Sequence, residues 1–361
     1  MEPLVLHEFH HQAQARFFEL EGMEAAQDYG DPMAEYRALR ENAAVLDLSF
    51  RGRLCVLGAD RQPFLNGQVT NNVKDLKTGD GCYAALVTAK GKMESDLNIY
   101  SLENELLLDF EPGLTRSVQA RLEKYIIAED AQVVDVAPHY GLLSVQGPSA
   151  DSVLDGLFSV LPPKAFNGIR IEDASLGEIY LTNQPRVGTK GYDLFVPVAQ
   201  LAAAAAKLLT AAQAIGGRLC GWTALETARI EAGIPRFGAD MDNTNLPPEA
   251  GLDNRAVSYN KGCYIGQEVI ARIRTYGQVA KSLRRLRLPD DLPKLPGRGD
   301  KLYCNGKEAG YITSAVASPA LRANIALAYV RREAAKVGTE LLLVGGDASF
   351  TVQVTEVPFA A

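Results

Sequence analysis

Lys261-Gly262-Cys263-Tyr264-Ile265-Gly266-Gln267-Glu268 carries more chemical information than any other stretch of this chain. Val269, Ile270 and Ile273 follow it at the spacing of one helix face, so the segment is predicted to lead from a turn into a helix. Cys263 then stands just ahead of a helix start, with Lys261 two residues away. The partial positive charge of a helix N-terminus and a neighbouring ammonium both favour a thiolate over a thiol, which makes Cys263 a candidate reactive group. A cysteine filling a tight turn accounts for the same residues, and the local pattern does not separate the two. No histidine lies nearby in sequence, which counts against a Cys–His hydrolase.

Upstream of the octapeptide, residues 233–252 form a loop rich in Pro, Asn and Asp, preceded by a helical pattern over 222–232. A long helix is predicted over 200–215, where the run Ala202–Ala206 suits close packing on a sheet. Strands at 141–146, 169–174, 177–183 and 191–197, with a helix at 148–158, give a split βαβ, ferredoxin-like arrangement. Further back, a helix over 31–42 enters a sheet near Val45. Strands follow at 53–57, 81–87, 94–100, 105–110 and 132–136, with a helix at 115–125. Downstream, short alternating strands at 282–288, 309–317, 323–329, 340–344 and 349–354 read as a small β-barrel.

A chain of 361 residues exceeds one compact core, so two or three packed units are expected. No apolar run approaches the roughly 20 residues of a membrane span, and no membrane association is expected. The formal net charge of -7 argues against broad contact with nucleic acid. Arg272, Arg274, Lys281, Arg284, Arg285 and Arg287 form a basic stripe that reads as solvated strand and helix faces, or as a surface for a polyanion. The five cysteines, Cys55, Cys82, Cys220, Cys263 and Cys304, lack metal-knuckle spacing and read as reduced thiols. His7, His10 and His11 stand at helical spacing, but an exposed N-terminal helix explains them better than a metal face, and no metal is expected. The acidic residues of the first thirty positions fit neither a secretory signal nor a transit peptide, so a cytoplasmic location is expected.

The octapeptide resembles the signature of the YgfZ family of folate-binding proteins. Arg229-Ile230-Glu231-Ala232-Gly233-Ile234-Pro235, Phe237-Gly238 and Pro248-Glu249-Ala250 are similar to segments shared by YgfZ-like proteins and glycine-cleavage T-proteins (GcvT-like aminomethyltransferases). Leu46-Asp47-Leu48-Ser49, Phe64-Leu65-Asn66-Gly67-Gln68, Thr70-Asn71-Asn72-Val73 and Gly79-x-Gly81-x-Tyr83 resemble the first half of that superfamily. Spanning residues 31–355, the resemblance implies an α+β fold: two interlocked ferredoxin-like α+β units around a central folate cavity, plus a C-terminal β-barrel. The boundaries expected are an N-terminal extension at 1–30, a folate-binding region at 31–275 and a barrel at 281–361. Within the folate-binding region, one unit covers 53–137 and the other covers 31–52 with 138–275.

The resemblance further implies tetrahydrofolate, or a one-carbon-substituted folate, in the cavity. Asp193, which follows Gly191-Tyr192, is the candidate carboxylate for the pterin edge, with Tyr83 walling the slot. Arg229 is a candidate to pair with a folate carboxylate or to brace the loop. Asp96 is a candidate for both folate binding and catalysis, and Cys263 a candidate functional thiol. Where T-proteins place two adjacent aspartates this chain reads Ser95-Asp96, and helix 200–215 lacks the acidic residue usual there. On these departures the expected function is a YgfZ-like factor that supports assembly or repair of iron–sulfur enzymes, with iron–sulfur assembly proteins or client enzymes as partners. A folate-dependent aminomethyltransferase or other one-carbon enzyme is the alternative, and a non-catalytic folate-binding module the third reading.

Overall fold

The structure is a computed structural model, and it describes residues 1–277, 279–345 and 348–356. Strand Met93–Ser101 shows how its sheet divides chemistry between two faces. Leu97 and Ile99 point to one side, where Phe64 and Leu65 of helix Arg61–Gln68 and Val118 and Leu122 of helix Thr115–Glu123 cover them. Asp96, Asn98 and Tyr100 alternate to the other side. The sheet is antiparallel, in the order Gly81–Val87, Met93–Ser101, Leu106–Phe110, Gly52–Leu57, Gln132–Asp135.

A second sheet presents its inner face to the first. Its order is Gly168–Asp173, Gly177–Asn183, Gly191–Pro197, Tyr140–Gln146, Ala44–Asp47, Arg218–Leu219, and only the last pair is parallel. Its outer face packs Leu143, Val145, Leu194 and Val196 against helices Ala150–Asp155 and Leu201–Gln213. Between the sheets lies one apolar cluster, with Leu46, Leu142 and Phe195 from the second sheet and Cys55, Tyr100 and Leu107 from the first. Helices Pro32–Glu41 and Trp222–Glu231 close it. The described residues from Lys281 to Thr355 form a closed six-stranded barrel that docks on helix Trp222–Glu231 through Ser318 Oγ to Glu231 and Ser314 Oγ to Arg229. The α+β fold with a C-terminal barrel is therefore as the sequence predicted. No helix among the described residues is long and apolar enough to cross a membrane.

Three local readings change. Residues 1–30 pack onto the body: Leu4, Leu20 and Ala25 join the inter-sheet core, and a hairpin forms from Arg16–Leu20 and Met23–Asp28. Its two-residue turn, Glu21-Gly22, has positive φ at both positions, the hairpin-turn geometry, without the Asn-Gly or Asp-Gly that announces it. The helix expected to be exposed, His7–Gln12, buries His10 to 1% exposure between Asp47 (2.9 Å) and the Tyr29 hydroxyl (2.8 Å). Among the described residues no group of three or more His, Cys, Asp or Glu gathers to hold a metal. Finally, Phe237, Met241, Ala250, Leu252 and Ile270 pack on Tyr83, Ala85 and Val87 of the first sheet, although the sequence reading grouped residues 138–275 with the second.

Candidate active site

The octapeptide is a clasp. The buried Lys261 ammonium donates to three backbone carbonyls, those of Asn66 (2.5 Å), Val69 (2.7 Å) and Asn71 (2.7 Å), so each of its protons meets an acceptor in the last turn of helix Arg61–Gln68 or the loop after it. Ile265 N–H donates to the Gly67 carbonyl, Thr70 Oγ1 to the Ala256 carbonyl, and Asn71 Nδ2 to the carbonyls of Tyr83 and Arg255. Gly266 has φ +85°, and a Cβ there would stand 2.5 Å from the Thr88 carbonyl oxygen, which explains the glycine before helix Gln267–Tyr276. The net effect is to fix Tyr83 and Arg255 side by side, the Arg255 guanidinium 5.5 Å over the Tyr83 ring. Lys261→Met should therefore destabilise the protein by about 3 kcal/mol or more, since it strands three carbonyls. Urea unfolding measures this, and a loss below about 1 kcal/mol would show the clasp to be incidental.

Tyr83 and Arg255 form one wall of a cavity between the two sheets, enclosing about 760 Å³ of space including its open mouth. Leu48, Phe50 and Leu225 supply apolar surface, and Trp222 and Arg236 stack opposite, the guanidinium 4.8 Å from the indole centre. Asp96 lies at the inner end. Its Oδ2 accepts from the Tyr83 hydroxyl (2.7 Å), and its Oδ1 is buried with no hydrogen-bond partner among the described residues. Burial, and after it the nearby Glu111 carboxylate, push the Asp96 carboxyl up to about 6. The larger hollow lined by Phe195 has its carboxylates already engaged, Glu103 and Glu178 by Arg170, Glu178 also by Tyr180, and Glu105 by the Cys55 thiol.

Ion pairs hold the cavity's polar wall. Arg186 bridges the sheets, with Nη2 to Asp109 Oδ2 (2.8 Å) and Nε to Asp193 Oδ2 (3.0 Å). Arg51 Nε reaches the same Asp109 (2.6 Å) and its Nη1 pairs with Glu111, while Arg236 joins Glu111 (3.2 Å) to Glu226 (3.1 Å). Asp109 is fully buried, and the Arg186 and Arg51 guanidiniums hold its carboxyl well below the usual carboxylate range despite burial.

Of the residues singled out in the sequence, Tyr83, Asp96 and Arg229 line this cavity and Asp193 and Cys263 do not. The Asp193 carboxylate is taken by Arg186 and by Ser144 Oγ (2.7 Å), so it sets the position of Arg186 instead of presenting itself to a ligand. Arg229 braces the loop, as one sequence reading had it. It is buried, with Glu226 (2.7 Å), Asp240 and Ser314 Oγ (3.0 Å) around its guanidinium. Cys263 is exposed, four residues before the helix begins, and the neighbouring ammonium is committed to carbonyls; the thiolate-activating arrangement expected there does not form.

Arg51, Glu111, Arg186, Trp222, Arg236 and Arg255 went unread as site residues. One signal was available: Leu106-Leu107-Leu108-Asp109-Phe110 places a carboxylate inside an apolar strand, which demands a buried cation. Both sequence arguments against group transfer also fall. Ser95 belongs to the face opposite Asp96, with Leu97 and Ile99, so a carboxylate at that position would not have entered the cavity on this strand. Helix Leu201–Gln213 lies on the outer face of the second sheet, away from the cavity. The basic stripe also disperses, with Arg272 pairing Glu268, Arg274 over Tyr259, Lys281 bound to Tyr311 and Arg287 to Asp290.

Two facing α+β units with a docked barrel enclose an interior cavity whose lining includes a carboxylate with one unpartnered oxygen. The chain belongs to the glycine-cleavage T-protein family, matching the GCVT N-terminal domain over residues 6–261 and the glycine cleavage T-protein C-terminal barrel domain over residues 281–360. It is 30% identical over 333 residues to an aminomethyltransferase of Geobacillus thermodenitrificans, covering 91% of this chain and 89% of that one. A second aminomethyltransferase, from Symbiobacterium thermophilum, is 29% identical over 365 residues, covering 98% and 96%. The crystal structure of glycine cleavage system aminomethyltransferase T from Bartonella henselae shares the fold, with a TM-score of 0.89, 24% identity and coverage of 99% and 98%.

Proposed function

We propose that the cavity binds a reduced folate and that Asp96 serves one-carbon, aminomethyl-type transfer at a folate nitrogen. The observation that carries this is the half-buried Asp96, which lines the cavity with one carboxylate oxygen unpartnered and its carboxyl pushed up to about 6. An amine that takes up a one-carbon unit must lose its N–H proton, and a carboxyl group tuned toward neutrality can receive it. Tyr83 holds Oδ2, which leaves Oδ1 as the oxygen without a partner among the described residues. The relatives named aminomethyltransferase support this reading over the iron–sulfur role first expected. Its test is turnover: purified protein, tetrahydrofolate and a lipoyl carrier loaded with an aminomethyl group should yield one-carbon-substituted folate. Binding without turnover would move the second reading ahead.

That second reading, support of iron–sulfur enzymes, rests on the octapeptide and on Cys263 being exposed while Cys55 and Cys220 are buried. A thiol so placed would act at the surface, not on the bound ligand. Burial pushes the Cys82 thiol up to about 12 and those of Cys55 and Cys220 higher still, and Cys304 is half-buried, so alkylation should find the exposed Cys263 first. Cys263→Ser should leave folate affinity unchanged and stability within about 0.5 kcal/mol. A calorimetric titration checks the first and thermal unfolding the second. An altered folate affinity would place the thiol in the binding machinery after all.

A further inference from the structure

We propose that Glu111 is a positioning residue of this site: its carboxylate stands across the strand pair from Asp96 and stays charged between two guanidiniums, so that of the two it is Asp96 that carries the proton. The proposal rests on the reading of Asp96 as the acid–base group. The register sets the two opposite each other. Strands Met93–Ser101 and Leu106–Phe110 run antiparallel with Ile99 against Leu108 and Asn98 against Asp109, where the Asn98 amide donates to the Asp109 carboxylate (2.8 Å). Continued by two residues along each chain, the same register faces Asp96 with Glu111, just past the end of its strand and on the side of the sheet that carries Asn98 and Asp109. Both line the cavity.

Ionised carboxylates at directly opposed strand positions repel, so their surroundings decide which one keeps a proton. Glu111 is buried and takes Arg51 Nη1 on Oε1 and Arg236 Nη1 on Oε2 (3.2 Å). The Asp96 carboxylate pairs with no cation among the described residues, and its partner is the Tyr83 hydroxyl on the neighbouring strand. The other charges around the cavity are engaged: Arg51 and Arg186 with Asp109, Arg186 also with Asp193 of the second sheet, Arg229 with Glu226 on one helix, and Arg255 over the Tyr83 ring. Burial, and after it Glu111, raise the Asp96 carboxyl; Glu111 itself, despite burial, is held below the usual range by the Arg51 and Arg236 guanidiniums. Two carboxyls pushed apart in this way divide into a proton carrier and a fixed charge. Glu111→Gln acts in one direction only. It removes the anion and frees two cations, and both changes favour the ionised form of Asp96.

The test is a carbon-13 NMR titration of ligand-free protein labelled at the side-chain carboxyls of Asp and Glu, the two resonances being assigned by their loss in Asp96→Asn and Glu111→Gln. In the native protein Asp96 should titrate at about pH 6 and Glu111 below its ordinary value of 4.5. In Glu111→Gln the Asp96 midpoint should fall by about one pH unit or more, and the acid limb of kcat/KM for transfer, which reports the free protein, should move with it. Glu111→Asp, which keeps the charge, should hold the Asp96 midpoint close to that of the native protein. A Glu111 that titrates above Asp96 in the native protein, or an Asp96 midpoint unmoved in folded Glu111→Gln, would overturn the proposal. Neither titration involves a ligand, so a failure of the folate reading, seen as no binding of tetrahydrofolate, is told apart from both.

Discussion

Asp96→Asn should lower one-carbon transfer by about 10²–10⁴-fold, the range for loss of a positioned acid–base group, with folate affinity little changed. The same substitution should stabilise the free protein at neutral pH. The folded-state pKa of Asp96 stands near 6, above the ordinary value of 3.8, so between those values the folded protein holds a proton that the unfolded chain has released. The contribution of the protonated carboxyl is fully present below about pH 4 and is lost as pH rises through about 6. Above that, the native protein carries a buried charge that the amide avoids. Asp96→Asn should gain about 1–3 kcal/mol at pH 7.5 and nothing at pH 4, read from urea unfolding at both. A variant that loses stability at pH 7.5 would show Asp96 to be a structural pair of Tyr83 and not a group kept available for the ligand.

The second large effect is expected at Arg186. Removing its guanidinium leaves Asp109 with Arg51 and the Asn98 amide and leaves Asp193 with only Ser144, both carboxylates having no exposure to water. Breaking a buried pair in this way costs about 3–5 kcal/mol, so Arg186→Met should shift urea unfolding by that amount and weaken ligand binding through a loosened wall. Arg186→Met/Asp193→Asn should recover part of the loss, because one stranded charge is gone. The acid limb should change as well. The Asp109 pKa is depressed in the folded state, so its contribution is present above the ordinary carboxylate value and lost as pH falls through the folded one. With less cation around Asp109 that depression shrinks, so Arg186→Met should lose less stability on acidification below the ordinary carboxylate value than the native protein does.

The architecture was largely legible, because it rests on period-2 strands and on helices with one apolar face. Helix Pro32–Glu41 starts at the Asp31 cap, whose side chain accepts from Ala34 N–H, and most barrel strands announce themselves by alternation. Helix Arg61–Gln68 was hidden by Pro63 and Gly67, although proline in a first turn forfeits no intrahelical bond. Strand Lys301–Cys304 was too short to carry a pattern. The site was legible only where one residue decides it. Asp96 and Tyr83 were singled out and both line the cavity, but whether a carboxylate is free or spent depends on partners far away in sequence, such as Arg186 for Asp193. Cys263 illustrates the converse: its helix begins at Gln267, and its lysine neighbour reaches for Asn66, Val69 and Asn71.

Trp222 is the single tryptophan of the chain and lines the cavity beneath Arg236, so its fluorescence reports directly on occupancy. Titrating tetrahydrofolate while following that emission should give a saturable change with a stoichiometry of one. Asp96→Asn should give the same saturable change with no transfer activity. An emission that does not respond to tetrahydrofolate, in protein shown to be folded by its cooperative unfolding, would contradict folate binding in this cavity.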